Sequence, residues 1–335
     1  MVLLDGLWFF GGNRERGIGR YLTYYLEHVL SVPQEERLWL VPKSASHSLR
    51  NELITRFGGR SLVFDFSQTM PRQQELLRRY LDEKEVVEAY LLSPFERPWS
   101  LLDFIEVLVD LNIETTAIVF DLLPLQYRQE ILSTWPSEDQ KIYDRRTSKL
   151  GFIDLLLAIS PFVSQQLTQT LGISTKSVEV IPFGLNEKWI TPPKEVDLKW
   201  WREMSCGKYV VTIGGGEWRK NLEGTLRYFA KHYAKKKYTL LVICQLGRKQ
   251  KWRLQFLAWQ LGIHNRVQFM GQLDERIKWR FLAQAKVFLF LSRGEGLGIP
   301  VFEAKRAGIP EIVVSQQMAD AGLTKLIKQV TVVRV

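Results

Sequence analysis

Short apolar runs alternate with amphipathic stretches along most of the chain, and the pattern is most regular in the second half. Each run has the length of a buried strand, and the stretch that follows it carries apolar residues at helical spacing. Strands that alternate with helices predict a parallel sheet covered by helices on both faces. The strands predicted in the second half are residues 209–213, 239–244, 267–270, 287–291 and 312–314.

The first half shows the same alternation with less regular spacing. A glycine-rich loop at 11–19 joins the first predicted strand to a helix whose apolar face holds Ile18, Leu22 and Leu26. The other elements predicted in this half are strands at 2–10, 38–41, 62–66, 115–120 and 154–160, and helices within 73–92, 101–111 and 161–171. The fold class expected from both halves is α/β, with two Rossmann-like, doubly wound parallel-sheet domains.

Composition shifts give the expected domain limits. Pro192-Pro193 and a run of mixed charge mark a linker at 187–206. We therefore expect an N-terminal domain at 1–186 and a C-terminal domain at 207–335. A chain of 335 residues is long enough for a separate core in each.

The bulk composition is that of a globular protein, with 46% hydrophobic and 24% charged residues. No apolar run reaches membrane-spanning length, and the first residues lack the pattern of a signal peptide, so we expect a cytoplasmic protein. The two cysteines, Cys206 and Cys244, and four scattered histidines do not form a disulfide framework or a zinc motif. We expect no bound metal.

The chain is basic, with a net charge of +10, and this charge predicts an anionic partner. Basic runs at 231–237 and 248–253 lie on predicted helices, where a solvated helix face is the simpler explanation. No nucleic-acid-binding module is present, so we expect no nucleic acid as a partner and favour peripheral attraction to an anionic membrane surface.

The most informative stretch is Arg293-Gly-Glu-Gly-Leu-Gly-Ile-Pro-Val-Phe-Glu303. It follows a predicted strand and leads into a helix that Pro300 can open at its first position. Gly296 and Gly298 allow the backbone to approach a ligand, and the helix start offers N–H groups to a phosphate. Glu295 and Glu303 can accept hydrogen bonds from sugar hydroxyls. The pattern suits a sugar nucleotide, although a structural corner between a strand and a helix would show the same glycines.

Two other motifs stand at the ends of predicted strands. Gly214-Gly-Gly-Glu-Trp-Arg-Lys-Asn221 opens a helix, and Asp121 follows the β-rich run at 115–120. An acid at the carboxyl end of a parallel strand lies where such sheets bind ligands. Asp121 could equally cap a turn ahead of Pro124. The glycines at 11–19 do not have the dinucleotide-binding spacing, so that loop is either an anion or sugar site or a plain surface loop.

Five motifs in this order resemble the retaining glycosyltransferases of sequence family 4, and the similarity covers residues 1 to about 315. Glu295 to Glu303 resembles the Glu-x7-Glu signature of that family, and residues 214–221 resemble its glycine-rich turn with Arg and Lys. The motifs of the first half that are similar to the family are Gly17-Ile-Gly-Arg-Tyr21, Phe120-Asp-Leu-Leu-Pro124, and Leu157-Ala-Ile-Ser160 with Val180-Ile-Pro-Phe-Gly184. The resemblance implies the GT-B architecture, in which two Rossmann-like domains face a cleft.

The resemblance also implies roles for individual residues. Arg219 and Lys220 would hold the diphosphate of the donor, and their position at a positive helix end is otherwise unfavourable. Glu295 would bind the transferred sugar, Glu303 the ribose, and Asp121 would face the acceptor. The glycines and backbone groups expected to line the donor are Gly17, Gly19, Gly216, Gly296, Leu297 and Gly298. The catalytic residues expected are Arg219, Lys220, Glu295 and Asp121.

The function implied is transfer of a hexose from a nucleoside-diphosphate sugar to a carbohydrate or lipid-linked glycan, with retention of configuration. The donor is a substrate, and no cofactor is expected. Only 20 residues, 316–335, follow Ser315, and we expect them to lack the later features of the family, which would leave a shortened second domain. The alternative is therefore a catalytically impaired chain that binds sugar nucleotides or stabilises a partner.

Overall fold

A computed structural model of the protein describes residues 1–12, 14, 17–181, 190–203, 208–323, 327 and 330–334. The chain divides into two compact units, Met1–Ile181 and Pro182–Val335. The end of the motif at 180–184 and parts of the linker predicted at 187–206 lie outside the described residues. No described helix is long and apolar enough to cross a bilayer.

The first unit is built on a seven-stranded parallel sheet with the order β3-β2-β1-β4-β5-β6-β7. Its strands are β1 (Val2–Asp5), β2 (Arg37–Pro42), β3 (Arg60–Phe64), β4 (Glu88–Leu91), β5 (Glu114–Val119), β6 (Leu155–Ala158) and β7 (Val178–Val180). Its helices are α1 (Leu7–Phe10), α2 (Gly17–His28), α3 (His47–Phe57), α4 (Met70–Glu83), α5 (Ile105–Asp110), α6 (Leu123–Gln126), α7 (Ser137–Lys149) and α8 (Pro161–Gln165).

The first apolar run is not one strand, as the sequence predicts for 2–10. β1 ends at Asp5, whose Oδ1 accepts a hydrogen bond from the N–H of Leu7 at 2.9 Å and helps to turn the chain into α1. Trp8 and Phe9 are then buried, and both rings contact Phe57 of α3. An apolar run shows burial, but its length alone does not separate a strand from a strand followed by a buried helical turn.

The second unit has a six-stranded parallel sheet with the order β10-β9-β8-β11-β12-β13. Its strands are β8 (Tyr209–Ile213), β9 (Thr239–Ile243), β10 (Val267–Gly271), β11 (Val287–Phe290), β12 (Glu311–Ser315) and β13 (Thr331–Val333). Its helices are α9 (Leu198–Glu203), α10 (Leu222–His232), α11 (Arg248–Gln260), α12 (Glu275–Gln284), α13 (Ile299–Ala307) and α14 (Gln316–Asp320).

Two of these elements lie where the sequence predicts no regular structure. α9 falls within the predicted linker and packs against α12. The tail after Ser315 begins with α14 and contains β13, which extends the sheet by pairing Thr331 with Val313 of β12. The sequence does not indicate β13, because this strand is only three residues long and is stabilised by its neighbour β12 rather than by a pattern of its own. The expectation that the second domain is shortened relative to the family stays a prediction.

One layer of the second core lies between the sheet and two neighbouring helices. Leu226 and Phe229 of α10, together with Leu257 of α11, pack with strand residues such as Leu240 and Leu289. α10 and α11 also contact each other. The opposite side of each helix is therefore directed away from the sheet.

The strand order gives each of the two sheets a topological switch point at an equivalent strand. β8 lies between β9 and β11, and β1 lies between β2 and β4. Successive strands are therefore added first on one side of β8 or β1 and then on the other, although all strands remain parallel. The loops that leave the carboxyl ends of strands on either side of such a switch point diverge and leave a crevice, where open α/β sheets bind ligands. In the second unit these are the loops after β8 and β11, which carry the two motifs described above.

Candidate functional site

Asn221 joins the two loops at the switch point of the second unit. It adopts the left-handed conformation, with φ of 48°, between a 3₁₀ turn at Trp218–Lys220 and the start of α10. Its Oδ1 accepts a hydrogen bond from the N–H of Gly224 at 3.3 Å, and its Nδ2 donates to the carbonyl of Leu291 at 3.0 Å. One side chain therefore caps α10 and fixes the loop that follows β11.

Glu295 is the centre of a charged cluster formed by these loops. Its Oε2 accepts a hydrogen bond from Nη1 of Arg219 at 2.6 Å, and its Oε1 accepts one from Nζ of Lys220 at 2.7 Å. Oγ of Ser292 donates to the same Oε1 at 2.9 Å. Glu295 is only 8% exposed. We call Arg219, Lys220, Ser292 and Glu295 the Glu295 cluster.

The surroundings of Glu295 hold it in its ionised form. Burial alone would raise the pKa of its carboxyl group, but the charges of Lys220 and Arg219 outweigh that effect, and hydrogen bonds from Lys220 and Ser292 act in the same direction. The net result is a pKa below the ordinary value for glutamate. The carboxylate thus supplies the negative charge that keeps two cations at the beginning of α10, where the helix dipole disfavours them.

Contacts beyond Glu295 also restrain Arg219. Arg219 also contacts Oε2 of Glu217 through Nε at 2.7 Å, and its carbonyl accepts a hydrogen bond from the N–H of Arg293 at 2.7 Å. These contacts restrain the side chain and the backbone of Arg219 before any ligand binds. Preorganised cations stabilise developing negative charge without first having to be ordered.

Local backbone geometry and close contacts explain why glycine occupies several positions of the two loops. Gly298 caps α13 with φ of 78°, a conformation that favours glycine. α13 begins at Ile299, so Pro300 is its second residue rather than its first. A Cβ on Gly216 would lie 2.1 Å from Oε1 of Gln250. Gly296 and the buried Leu297 complete the turn between Glu295 and α13.

Glu303 lies on α13 and is only 2% exposed. Its Oε1 accepts a hydrogen bond from Nζ of Lys278 of α12 at 3.0 Å, and the same Nζ contacts Glu275 at 2.7 Å. The sequence analysis did not identify Lys278. A signal was present, because Lys278 lies one residue before Trp279 and four before Leu282, on the buried face of α12.

The first unit contains its own pocket at the carboxyl ends of β4 and β5, with a volume of about 140 Å³. Asp121 and Phe120 line it, together with Trp135 and Tyr143. Oδ1 of Asp121 also accepts a hydrogen bond from the N–H of Leu123 at 3.2 Å. The side chain of Asp121 thus caps a turn and also borders a pocket, and its role toward a ligand stays a prediction.

Buried ionisable side chains lie beside this pocket, and the sequence did not single them out. Arg146 donates to the carbonyl of Glu96 at 2.6 Å and to Oδ2 of Asp103 at 2.6 Å. Asp5 is fully buried, and burial raises the pKa of its carboxyl group to about 7. The hydrogen bond from the N–H of Leu7 lowers this pKa, whereas the charge of Glu96 raises it further.

Gly17 and Gly19 belong to the first turn of α2 in the first unit. Gly19 is buried, and a Cβ there would lie 1.9 Å from the carbonyl oxygen of Arg14. Two residues further on, Tyr21 meets Phe120 with ring centroids 5.3 Å apart. Two of the motifs of the first half are thus in contact, while the expected role of the glycines toward a donor stays a prediction.

Comparisons with known proteins match both the motif region and the fold. Residues 201–324 match the family model described as Glycosyl transferases group 1. The chain is 23% identical over 201 residues to the O-antigen chain mannosyltransferase RfbU of Salmonella typhimurium, covering 59% of this chain and 51% of the relative. It is 22% identical over 205 residues to the serotype-specific mannosyltransferase WbdA of Escherichia coli, covering 58% and 24%. The matches thus span about half of the first relative and a quarter of the second.

Solved structures support the architecture over nearly the whole chain. Anabaena HepE in complex with UDP has a TM-score of 0.69 at 14% identity, covering 99% of this chain and 85% of the other. A glycosyltransferase from Rickettsia africae has a TM-score of 0.65 at 16% identity, covering 99% and 83%. The chain therefore has the two Rossmann-like parallel-sheet domains of the GT-B fold, and the match to the Glycosyl transferases group 1 model falls on its second unit.

Proposed function

We propose that the protein is a retaining glycosyltransferase of sequence family 4 that moves a hexose from a nucleoside-diphosphate sugar to a carbohydrate or lipid-linked glycan. The family match in the second unit supports a transferase, and HepE, which shares the fold, has been solved with UDP and with UDP-glucose. The curated relatives RfbU and WbdA are mannosyltransferases. Mannose is accordingly the first sugar to test.

The observation that carries this proposal is the Glu295 cluster at the switch point between β8 and β11. Arg219 and Lys220 meet at one carboxylate, at the beginning of a helix whose dipole also favours an anion. A diphosphate carries two neighbouring groups of negative charge and matches two adjacent cations. Glu295 would hold the cations in place until the donor binds and would then contact the hydroxyls of the transferred sugar.

The chemistry follows from where charge develops. The bond between the anomeric carbon and the phosphate oxygen breaks, a bond from the acceptor oxygen forms on the same face, and the acceptor proton passes to the departing phosphate. The diphosphate gains negative charge in the transition state, so Arg219 and Lys220 stabilise the transition state more than the bound substrate. Because the leaving group takes the proton, the reaction needs no strong enzymic base.

The remaining residues of the site would bind the donor. Glu303, held by Lys278, would accept hydrogen bonds from the ribose hydroxyls. The backbone N–H groups of Leu297 and Gly298 would contact phosphate and sugar, because they lead into the N-terminus of α13. Gly216 and Gly296 would allow the backbone of the second unit to approach the donor closely, and a role of Gly17 and Gly19 toward the donor stays a prediction.

The pocket of the first unit would take the acceptor. Its aromatic rings, such as Trp135 and Phe120, offer apolar faces to a sugar ring, and Asp121 offers a carboxylate to its hydroxyls. RfbU, named for an O-antigen chain, suggests a glycan acceptor. A lipid-linked glycan would place the reaction at the cytoplasmic face of a membrane. Asp121→Asn is then expected to raise KM for the acceptor without changing donor affinity.

The proposal is tested by binding and transfer assays on the full chain. A panel of sugar nucleotides that includes UDP-glucose and a nucleoside-diphosphate mannose is screened for a rise in Tm, since a ligand that binds the folded state stabilises it. Transfer is then measured for the wild type, Lys220→Ala, Glu303→Ala and, as a control, the exposed Lys199→Ala. We expect Lys220→Ala to lower kcat by about a hundredfold or more.

Each outcome has a distinct meaning. If no sugar nucleotide raises Tm, the proposed donor site is wrong. If a nucleotide binds but no sugar leaves it with any acceptor, the protein is the non-catalytic sugar-nucleotide-binding chain that we consider the alternative. Equal activity of Lys220→Ala and Lys199→Ala would remove the diphosphate-binding role from the Glu295 cluster.

A further inference from the structure

Three large aromatic side chains of α11 lie on the protein surface. Trp252 is 68% exposed, Phe256 46% and Trp259 63%. The helix buries other residues, Leu254, Leu257 and Ala258, against the core of the second unit. We call Trp252, Phe256 and Trp259 the α11 ridge. A contiguous group of exposed aromatic residues is unusual for a surface that faces only water.

The α11 ridge runs along the side of the helix that points away from the sheet. At 100° per residue its members fall opposite the buried residues, and their spacing of four and three places them in one line. The rings stack, with Trp252 and Phe256 centroids 5.7 Å apart and Phe256 and Trp259 centroids 6.0 Å apart. The 13 residues of α11 give a helix of about 20 Å with an apolar outer edge.

Much of the positive charge of the protein lies in the stretch of sequence that contains α11 and the neighbouring helix α10. Residues 222–266 contain ten lysines and arginines but only one acidic residue, Glu223, a net charge of 10 − 1 = +9 out of +10 for the whole chain. The remaining residues are therefore almost balanced. The exposed cations on α11 itself are Arg248, Lys249, Lys251 and Arg253. Helical spacing places them on both flanks of the ridge.

We propose that this face of the second unit binds an anionic membrane surface. The α11 ridge would enter the boundary between headgroups and acyl chains, and the flanking cations would contact lipid phosphates. Tryptophan and phenylalanine on one side with lysine and arginine beside them is the pattern of a helix that lies in a membrane interface. The surface binds lipid whether or not the protein transfers sugar, so the proposal goes beyond the proposed function.

Two other occupants fit the surface less well. Single-stranded nucleic acid would stack its bases on free aromatic faces, but Phe256 is stacked against tryptophans on both sides. A second copy of the chain in a symmetric contact would bring the exposed cations Arg248, Lys249 and Lys251 of one copy close to those of the other. An anionic bilayer satisfies the aromatic ridge and the cations at once.

The test is flotation of the full-length protein with lipid vesicles. One set is pure phosphatidylcholine, and the other contains about one third phosphatidylglycerol, which supplies the negative surface potential. We expect the wild type to bind the anionic set and not the neutral one, with binding that weakens as salt is added. Equal binding to the two sets, or no binding to either, would overturn the proposal.

Variants locate the binding surface. Trp252→Ala/Trp259→Ala is expected to lower the partition coefficient between vesicle and solution by about tenfold or more, because it removes the apolar side chains that the bilayer would bury. Its matched control is Trp200→Ala/Phe152→Ala, which removes two exposed aromatic residues elsewhere. Arg248→Gln/Lys251→Gln is expected to lower binding by about tenfold, whereas Arg60→Gln/Lys199→Gln, with the same change in net charge, is not.

The controls also separate the other occupants. Quenching of tryptophan fluorescence by brominated lipid should fall in Trp252→Ala/Trp259→Ala and persist in Trp200→Ala/Phe152→Ala. If the ridge variant floats as well as the wild type, the α11 ridge is not the contact and the proposal is wrong. If the wild type does not float, the same variant tests the other occupants. Loss of self-association in Trp252→Ala/Trp259→Ala would assign the surface to a second copy of the chain, and loss of salt-sensitive DNA binding would assign it to nucleic acid.

Discussion

Glu295 illustrates how the site is balanced at the level of single residues. It is buried, yet it is ionised because two cations surround it. Removing one partner of a buried ion pair is more damaging than replacing the whole pair, since the remaining charge loses its compensation. A ligand that supplies negative charge can take over this compensating role. The structure therefore links the stability of the cluster to occupation of the proposed donor site.

Glu295→Gln is expected to lower the free energy of unfolding by about 2 kcal/mol, because the amide keeps a hydrogen bond but not the charge facing Arg219 and Lys220. Added nucleoside diphosphate should then stabilise the variant more than the wild type. Denaturant unfolding with and without the ligand measures both effects. The control is Glu217→Gln, which also contacts Arg219 but is exposed and should lose little. Similar losses for the two variants would contradict the prediction.

Lys278 is expected to hold Glu303 in place rather than to touch the substrate. Lys278→Met should lower the free energy of unfolding by about 3 kcal/mol, because the buried carboxylate of Glu303 loses the charge and the hydrogen bond that Lys278 supplies. Adding Glu303→Gln should recover part of that loss, since the amide carries no buried charge. A double-mutant cycle in denaturant measures the coupling. Purely additive losses would show that the two side chains do not depend on each other.

Asp5 provides a prediction about pH. Its pKa is raised to about 7 in the folded protein, mainly by burial, so between pH 4 and 7 the folded state binds more protons than the unfolded state. Stability should therefore fall as pH rises through that range and stay low above it. Asp5→Asn should remove this fall and be more stable than the wild type at pH 8 by about 2–4 kcal/mol. Thermal unfolding across pH tests it, with the exposed Asp82→Asn as a control that keeps the fall.

The residue types of the site could be predicted from the sequence, but their pairing could not. Arg219, Lys220, Glu295 and Glu303 stand out through motifs. Which of them touch is set by the approach of two loops 75 residues apart in the chain. Lys278 is less evident because a lysine near the start of a helix is normally exposed. Its spacing from Trp279 and Leu282 indicates the buried face, but the sequence does not show its pairing with Glu303 of α13.

At the scale of elements, Asn221 is the residue that joins α10 to the loop after β11. Asn221→Ala should destabilise the protein by about 2–3 kcal/mol, because it removes the cap, leaves the carbonyl of Leu291 without this donor, and keeps a left-handed backbone. Asn221→Gly removes the same hydrogen bonds but adopts that backbone freely, so it should lose about 1 kcal/mol less. Denaturant unfolding of both variants measures the difference. Equal losses would mean that backbone strain plays no part.

Elements with a clear period were predicted well, and those without one were not. The strand predicted at 209–213 matches β8 residue for residue, since its apolar run is bounded by Lys208 and glycines. α7 was missed because its buried residues include Arg146 and Thr147, which leave no apolar stripe. β13 was missed because it has only three residues. In both cases tertiary contacts, rather than local pattern, decide the structure.

For the whole molecule, alternation of strands and helices was enough to predict two parallel sheets. Right-handed crossovers and the burial of both sheet faces restrict such a chain to few strand orders. The division after Ile181 gives each sheet a compact unit of its own. The exact partners of the short edge strands β7 and β13 depend on contacts that a single sequence does not show.

Two units with separate cores are expected to unfold in two transitions, and UDP should stabilise the second unit most. Leu4→Ala in β1 and Leu240→Ala in β9 remove matched, fully buried side chains, and each should lower a different transition in calorimetry. UDP should raise the transition that Leu240→Ala lowers, because the cations proposed to bind the diphosphate belong to the second unit, and ligand binding stabilises the part that binds it. Inorganic sulfate at equal ionic strength controls for salt. One transition lowered equally by both variants would contradict this expectation, because the two units would then unfold as one cooperative structure. A larger rise in the transition that Leu4→Ala lowers would contradict the placement of the diphosphate on the cations of the second unit.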